Sequence, residues 1–299
     1  MLKMIQRGKD GKWENKALEV RRFPAGELNI NIENVVVNSV IELIYEGSDD
    51  LIALGLVQNA FKQTGRKVEK IIMHYTPYGR QDRMCNEGEA FSLEFFASYI
   101  NSLGFDEVYV TDPHSYVQLQ LINNLQVYSQ QDVWLETLKE LKQGTLDAGA
   151  MFTLCSPDKG AVNKTKETAK QLLTEFDVIN TLYCDKVRNP KDGKLSGFSV
   201  PADFVSGTCV IVDDIIDGGG TFVGLAQELR KKGAETIILC GTHGIFSKGF
   251  DVLLEEIDYI YTTDSLPYAS VLLDKLHGPS KYQYRTQVHI IPLEDTLEI

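Results

Sequence analysis

The stretch of sequence richest in chemistry is an apolar run, Val210-Ile211-Val212, that leads into Asp213-Asp214 and then, after two isoleucines, into Asp217-Gly218-Gly219-Gly220-Thr221. Glycines let backbone N–H groups approach a phosphate closely, and a helix beginning at Thr221 adds the positive end of its dipole. Paired carboxylates at the end of a strand accept hydrogen bonds from vicinal sugar hydroxyls or hold Mg²⁺ through water. The segment therefore describes an anion site with a sugar clamp. The bland alternative is a strand that ends in two aspartates followed by a flexible turn. The spacing fits neither the GxGxxG dinucleotide fingerprint nor the GxxxxGK[ST] phosphate loop.

Other residues offer chemistry of a matching kind. Arg80 and Arg83 follow a candidate strand ending at Tyr75, where a guanidinium can fork onto a polyphosphate or simply decorate a solvated turn. Phe23 stands among polar residues and either stacks on a purine or belongs to the core. His114, beside Asp112, is a metal ligand or a satisfied structural histidine, and Asp158 in the other half of the chain is a second candidate ligand for a hard cation. Lys186 and Arg188 lie two apart, on one face of an extended chain, as a clamp on a transferring phosphoryl group or as ordinary surface charges.

These residues need elements to position them. Short β-branched runs alternate with amphipathic stretches, the pattern of βα units around largely parallel sheets, so the expected class is α/β. In the first half Val35 to Tyr45, Glu69 to Tyr75 and Glu107 to Thr111 read as strands, and Asp50 to Thr64 and Ser92 to Leu103 as helices, with Ser92 and Gly104 as cap and stop. In the second, Ala150 to Cys155, Val178 to Cys184, Thr208 to Val212 and Glu235 to Cys240 read as strands, and Thr165 to Phe176 and Thr221 to Lys232 as helices. Two similar halves follow. A charged helix, Asp132 to Gln143, and a turn-like Gly144 to Gly149 fall between them, which sets the expected domains at 1–148 and 149–299. Gly193 to Ser206 has no clear period and is long enough to serve as a lid.

Composition narrows the partners. A formal charge of −12 argues against a nucleic-acid surface, so an anionic substrate must be met by local cations or metal ions. No apolar run reaches the roughly 20 residues that span a bilayer, and the N-terminus lacks a signal-peptide core, so no membrane partner is expected. The five cysteines are odd in number, scattered and form no CxxC, so neither a disulfide framework nor a zinc site is suggested and the cytoplasm is the expected compartment.

In order along the chain, Arg22-Phe23-Pro24-Ala25-Gly26-Glu27, Pro77-Tyr78-Gly79-Arg80-Gln81-Asp82-Arg83, Thr111-Asp112-Pro113-His114, Ser156-Pro157-Asp158-Lys159-Gly160, Lys186-Val187-Arg188 and Thr242-His243-Gly244 resemble motifs of the ribose-phosphate diphosphokinases, the phosphoribosyl pyrophosphate synthetases. The resemblance covers nearly the whole chain. It implies two phosphoribosyltransferase-like domains, the first binding ATP and the second a ribose phosphate. It implies transfer of a diphosphoryl group from Mg-ATP to the anomeric hydroxyl of ribose 5-phosphate, with AMP leaving. Phe23, Glu27, Arg80, Gln81 and Arg83 would then bind ATP, and His114 and Asp158 the Mg²⁺. Lys186 and Arg188, with His114, would be catalytic. Asp213 and Asp214 would hold the ribose hydroxyls, and Asp217, Gly218, Gly219, Gly220 and Thr221 the 5-phosphate. A homodimer or larger homo-oligomer follows too, since the family's N-terminal loop reaches a neighbouring subunit's nucleotide.

Three positions depart from the family pattern. Ala25 stands for an acidic residue, Gly88-Glu89-Ala90 lacks a basic one, and Gly218 replaces a threonine. The last removes a hydroxyl and a Cβ beside the 5-phosphate, which opens the alternative of a 5′-substituted acceptor such as ADP-ribose.

Overall fold

The computed structural model describes residues 2–7, 13–16, 18–33, 40–147, 149–176, 179–188, 195–276 and 284–293. They form two compact units, Met1–Tyr128 and Ser129–Ile299.

The first unit carries strands β1 (Leu2–Arg7), β2 (Trp13–Lys16), β3 (Glu19–Arg22), β4 (Leu28–Asn31), β5 (Val40–Leu43), β6 (Lys70–Met73), β7 (Glu107–Thr111) and β8 (Leu125–Tyr128). Its helices are α1 (Ser48–Gln63), α2 (Ser92–Leu103) and α3 (Tyr116–Leu121). The main sheet has the order β2-β1-β5-β6-β7-β8, parallel from β5 to β8 and antiparallel where β1 joins β5 and β2. Strands β3 and β4 make a separate hairpin. Ile71, Met73, Val108 and Val110 are buried together with Leu54, Val57 and Phe61 of α1 and Phe96 and Ile100 of α2. Such a sheet, covered by helices, needs the near-continuous apolar strands seen here.

The second unit holds α4 (Gln130–Asp147), β9 (Phe152–Ser156), α5 (Val162–Leu172), β10 (Asn180–Tyr183), β11 (Asp185–Arg188), β12 (Leu195–Ser199), β13 (Thr208–Ile216), α6 (Gly220–Lys231), β14 (Thr236–Gly244), α7 (Asp251–Leu254), β15 (Tyr259–Thr263), α8 (Tyr268–Lys275) and β16 (Val288–Ile291). Its sheet, in the order β10-β9-β13-β14-β15-β16, is parallel throughout, and β11 and β12 form an antiparallel hairpin. The chain leaves β9 for β10 on one side, then returns to place β13 on the other. Ligands in open α/β sheets bind outside the carboxyl ends of the strands at such a reversal.

Several boundaries differ from the sequence reading. Strand β13 runs four residues past Val212, through Asp213 and Asp214, because Asp213 pairs with Gly241 and Ile215 with His243 of an equally extended β14. Ser92 is the first helical residue and not the cap, which is Phe91, whereas Gly104 closes α2 in the left-handed conformation. The region 144–149 is largely helix, since α4 continues to Asp147, and α4 packs in the second unit through Trp134, whose Nε1 donates to Thr242 Oγ1 at 3.0 Å. The aperiodic stretch 193–206 contains β12, and residues 189–194 lie outside the described residues.

Candidate active site

In the second unit the carboxyl ends of β9 and β13 flank the reversal in strand order. Beyond β9, Asp158 Oδ1 accepts the backbone N–H groups of Gly160 and Ala161 at 2.9 and 3.3 Å, which fixes the carboxylate at the start of α5. Its Oδ2 receives Lys186 Nζ at 2.7 Å. Lys186 lies on β11, opposite Phe198 of β12, and Phe198 packs so closely on α6 that a Cβ at Gly224 would stand 2.3 Å from its ring. The hairpin is thus held through β12 by Phe198 on Gly224 and through β11 by the Lys186–Asp158 and Lys159–Asp185 ion pairs. Arg188 ends β11, and its side chain lies outside the described residues.

On β13, Asp213 Oδ1 accepts the Asp214 backbone N–H at 3.0 Å. Burial, then the adjacent Asp214 charge, with Asp158 adding to it, push the Asp213 carboxyl well above the usual carboxylate range. A pair of acids held this way is relieved by hydroxyl donors or by a cation. Asp217 and Gly218 follow the strand, and Gly219 caps α6 in the left-handed conformation (φ 80°). No side chain caps α6, which leaves its first N–H groups without a side-chain partner, the kind of helix start that suits an anion. Gly219 is doubly constrained, because a Cβ there would also stand 2.8 Å from Leu253 Cδ2. Gly218 is not, since a Cβ would meet Lys248 Cε at 3.5 Å and Ser247 Oγ at 3.6 Å, ordinary contact distances. The space beside Gly218 is therefore lined by a lysine and a serine that sequence reasoning did not single out. The signal that could have found them is their place in the turn after β14, the strand paired with β13.

Thr242 and His243 lie inside β14 and are buried. Ser265 Oγ donates to the Thr242 carbonyl at 3.1 Å and so accepts from His243 Nδ1 at 2.9 Å, which assigns that proton to Nδ1. His243 supports the strand.

In the first unit, neighbouring β6 and β7 deliver two motifs side by side, with Met73 opposite Val110 and the Thr111 N–H on the His74 carbonyl at 3.2 Å. After β6 the chain turns at Tyr78, a non-glycine residue with φ 62° whose ring packs against Phe96 of α2. Arg80 and Gln81 emerge exposed. Arg83 differs, since its guanidinium forks onto buried Asp82 at 2.8 and 3.0 Å and holds that carboxyl below the usual range against the effect of burial. After β7, Asp112 is fully buried with φ 41°, and His114 is exposed. Non-glycine residues at positive φ are uncommon and gather at functional sites. His74 is buried, its Nδ1 2.9 Å from Thr111 Oγ1, as expected of a structural histidine.

Phe23 stands in the β3–β4 turn, where Phe23 N–H donates to the Glu27 carbonyl and Gly26 N–H to the Phe23 carbonyl, both at 2.8 Å. The ring is 54% exposed and Glu27 is exposed beside it, so Phe23 is not core. In place of the expected basic residue, Glu89 braces its own loop by accepting the N–H groups of Cys85 and Asn86 at 3.0 Å.

Residues 185–277, from β11 past α8, match the family model described as phosphoribosyl synthetase-associated domain. Over its length the chain is similar to a ribose-phosphate pyrophosphokinase of Pyrococcus furiosus, 29% identical over 266 residues that cover 86% of this chain and 90% of the relative. A relative of the same name from Pyrococcus abyssi is 30% identical over 256 residues, 84% of each chain, and one from Thermotoga maritima 30% over 262 residues, 83% of this chain and 78% of the relative. The fold resembles the crystal structure of phosphoribosylpyrophosphate synthetase from Mycobacterium smegmatis, with a TM-score of 0.73 over 93% of this chain and 86% of that one at 22% identity. With these likenesses running through both units and across the acidic strand end, the glycine loop and the lysine hairpin alike, the chain belongs to the ribose-phosphate pyrophosphokinase family.

Proposed function

We propose that the chain transfers a diphosphoryl group from ATP to the anomeric hydroxyl of ribose 5-phosphate, forming phosphoribosyl pyrophosphate and AMP. The observation that carries this reading is that the family-matched stretch 185–277 contains both Lys186 and the 213–221 segment, folded onto one sheet end. The anomeric oxygen attacks the β-phosphorus, the bond from that phosphorus to the oxygen bridging to the α-phosphate breaks, and AMP leaves with the electron pair. The hydroxyl proton is lost to solvent or a phosphate oxygen.

The first unit is assigned the nucleotide and the second the acceptor. Arg80, Gln81 and Arg83 bind the phosphates of ATP, with Arg83 aimed by its fork on Asp82. Exposed Phe23 and Glu27 serve the base, on a neighbouring copy in a homodimer or larger homo-oligomer. Asp213 and Asp214 accept the ribose hydroxyls, and Asp217 to Thr221 surround the 5-phosphate. Lys186 and Arg188 stabilise the charge that builds on the transferred group.

By the family resemblance, Asp158 in the second unit and His114 in the first would each offer a ligand to Mg²⁺. Among the described residues no three His, Cys, Asp or Glu side chains converge, so the ion would draw most of its ligands from ATP phosphates and water, as Mg²⁺ prefers. The chemistry it would supply when bound is neutralisation of phosphate charge. Asp158, oriented by two backbone N–H groups, would be the second unit's ligand to the ion, and Lys186 Nζ rests on the same carboxylate. The cysteines are all free among the described residues, in keeping with the cytoplasm as the place of action. No observation favours a 5′-substituted acceptor.

The test is AMP release from Mg-ATP with and without ribose 5-phosphate. Dependence on the acceptor is expected, with Lys186→Ala lowering kcat about a hundredfold or more. Unchanged turnover in that variant removes Lys186 from the chemistry, and absence of acceptor-dependent AMP release removes the reaction.

A further inference from the structure

Lys248 and Ser247 occupy a turn whose position is determined from both sides. Behind it, the N–H groups of Ile245 and Phe246 both donate to the carbonyl of Ile216, at 2.7 and 3.2 Å, so the chain leaving β14 is stitched to the residue just before Asp217. Phe246 (φ 49°) and Phe250 turn inward, buried edge to face with centroids 4.8 Å apart, and Gly249 N–H closes the turn on the Phe246 carbonyl at 2.9 Å. Between these anchored rings Ser247 and Lys248 are left exposed at the tip.

From there the Lys248 stem crosses Gly218. A Cβ on that glycine would lie 3.7 Å from Lys248 Cδ, 3.5 Å from Cε and 3.6 Å from Ser247 Oγ, and the ammonium is one bond beyond Cε. The helix start beneath has no side-chain cap. Lys248 and Ser247 form no hydrogen bond or ion pair with other side chains among the described residues. In a chain of net charge −12, a cation placed beside three consecutive glycines is suited to meet an anion on the loop.

We infer that Lys248, assisted by the Ser247 hydroxyl, is a specificity-determining residue for the acceptor, which selects sugars carrying a terminal, dianionic phosphate monoester at the 217–221 loop. The inference rests on the reading of that loop as the acceptor's phosphate site. The ammonium adds charge to what the loop amides supply and leaves the reacting end of the sugar untouched. Its effect therefore falls on acceptor binding and not on the chemical step.

The experiment compares the full chain with Lys248→Ala and Lys248→Arg, in steady-state kinetics and in direct titration with ribose 5-phosphate and with ribose. Lys248→Ala should raise KM for ribose 5-phosphate about tenfold, with kcat and KM for ATP within about twofold, and Lys248→Arg should recover most of the loss. Ribose should bind both proteins equally weakly. Active wild-type enzyme with an unchanged KM in Lys248→Ala overturns the inference and leaves the proposed reaction standing. If no acceptor-dependent AMP release occurs, the reaction falls and the titration decides alone: tighter binding of ribose 5-phosphate by wild type than by Lys248→Ala upholds the phosphate contact, and equal binding overturns it.

Discussion

Two adjacent glycines in the acceptor loop are held to different standards by their surroundings. Gly219 adopts φ 80° and sits where a Cβ would press on Leu253, so Gly219→Ala combines backbone strain with a steric clash and should cost about 1–3 kcal/mol in urea unfolding. Gly218 carries neither constraint, and Gly218→Ala should leave unfolding within about 0.5 kcal/mol of wild type. Equal costs for the two substitutions would mean that the loop is not built as described. The departure at residue 218 is thus a matter of what the loop contacts and not of what the backbone permits. Phe23 was a similarly open choice in the sequence, where a lone aromatic reads as core or as a stacking platform. Its place in the turn of a two-stranded hairpin, more than half exposed, removes it from the core.

At the scale of elements, the position of Lys186 depends on an apolar joint between β12 and α6 as well as on its own ion pair with Asp158. Strand β12 lies on α6 through Phe198 and Gly224, and only the absence of a Cβ at 224 allows the approach. An alanine in mid-helix would by itself favour α6 by about 1 kcal/mol. Gly224→Ala should therefore keep a well-formed helix while displacing the hairpin, and we expect kcat to fall about tenfold with KM for ribose 5-phosphate little changed. Combining it with Phe198→Leu, which shortens the opposing side chain, should restore part of the rate. Failure of the second substitution to help would point away from the joint. None of this was legible beforehand, because the stretch 193–206 has no period, and one ring packed on one glycine leaves no periodic trace. Helix α2 and strand β7, by contrast, match their sequence-derived bounds, since each carries its own pattern and each ends at a local signal.

Across the whole molecule, two units with separate cores carry separate motif sets. Hydrogen exchange gives this a direct reading. Ribose 5-phosphate alone should slow exchange across 213–221 and 245–249 and leave 77–83 unaffected, whereas a non-hydrolysable Mg-ATP analogue should protect 77–83. Protection of both regions by ribose 5-phosphate alone would contradict the assignment of one substrate to each unit.

The sequence by itself determined the α/β class, the two-fold repetition of the theme, and the residue types of an acidic strand end, a glycine loop and a lysine clamp. These are local properties, written as hydrophobic period and as short motifs read along the chain. Tertiary structure alone decided that β13 carries its aspartates within the strand, that Asp158 and Lys186 meet beside them, that Arg83 forks onto Asp82, and that Lys248 lies over Gly218. Each joins residues far apart in sequence or sets the direction of a side chain, and both depend on strand register and close packing, which no local pattern encodes.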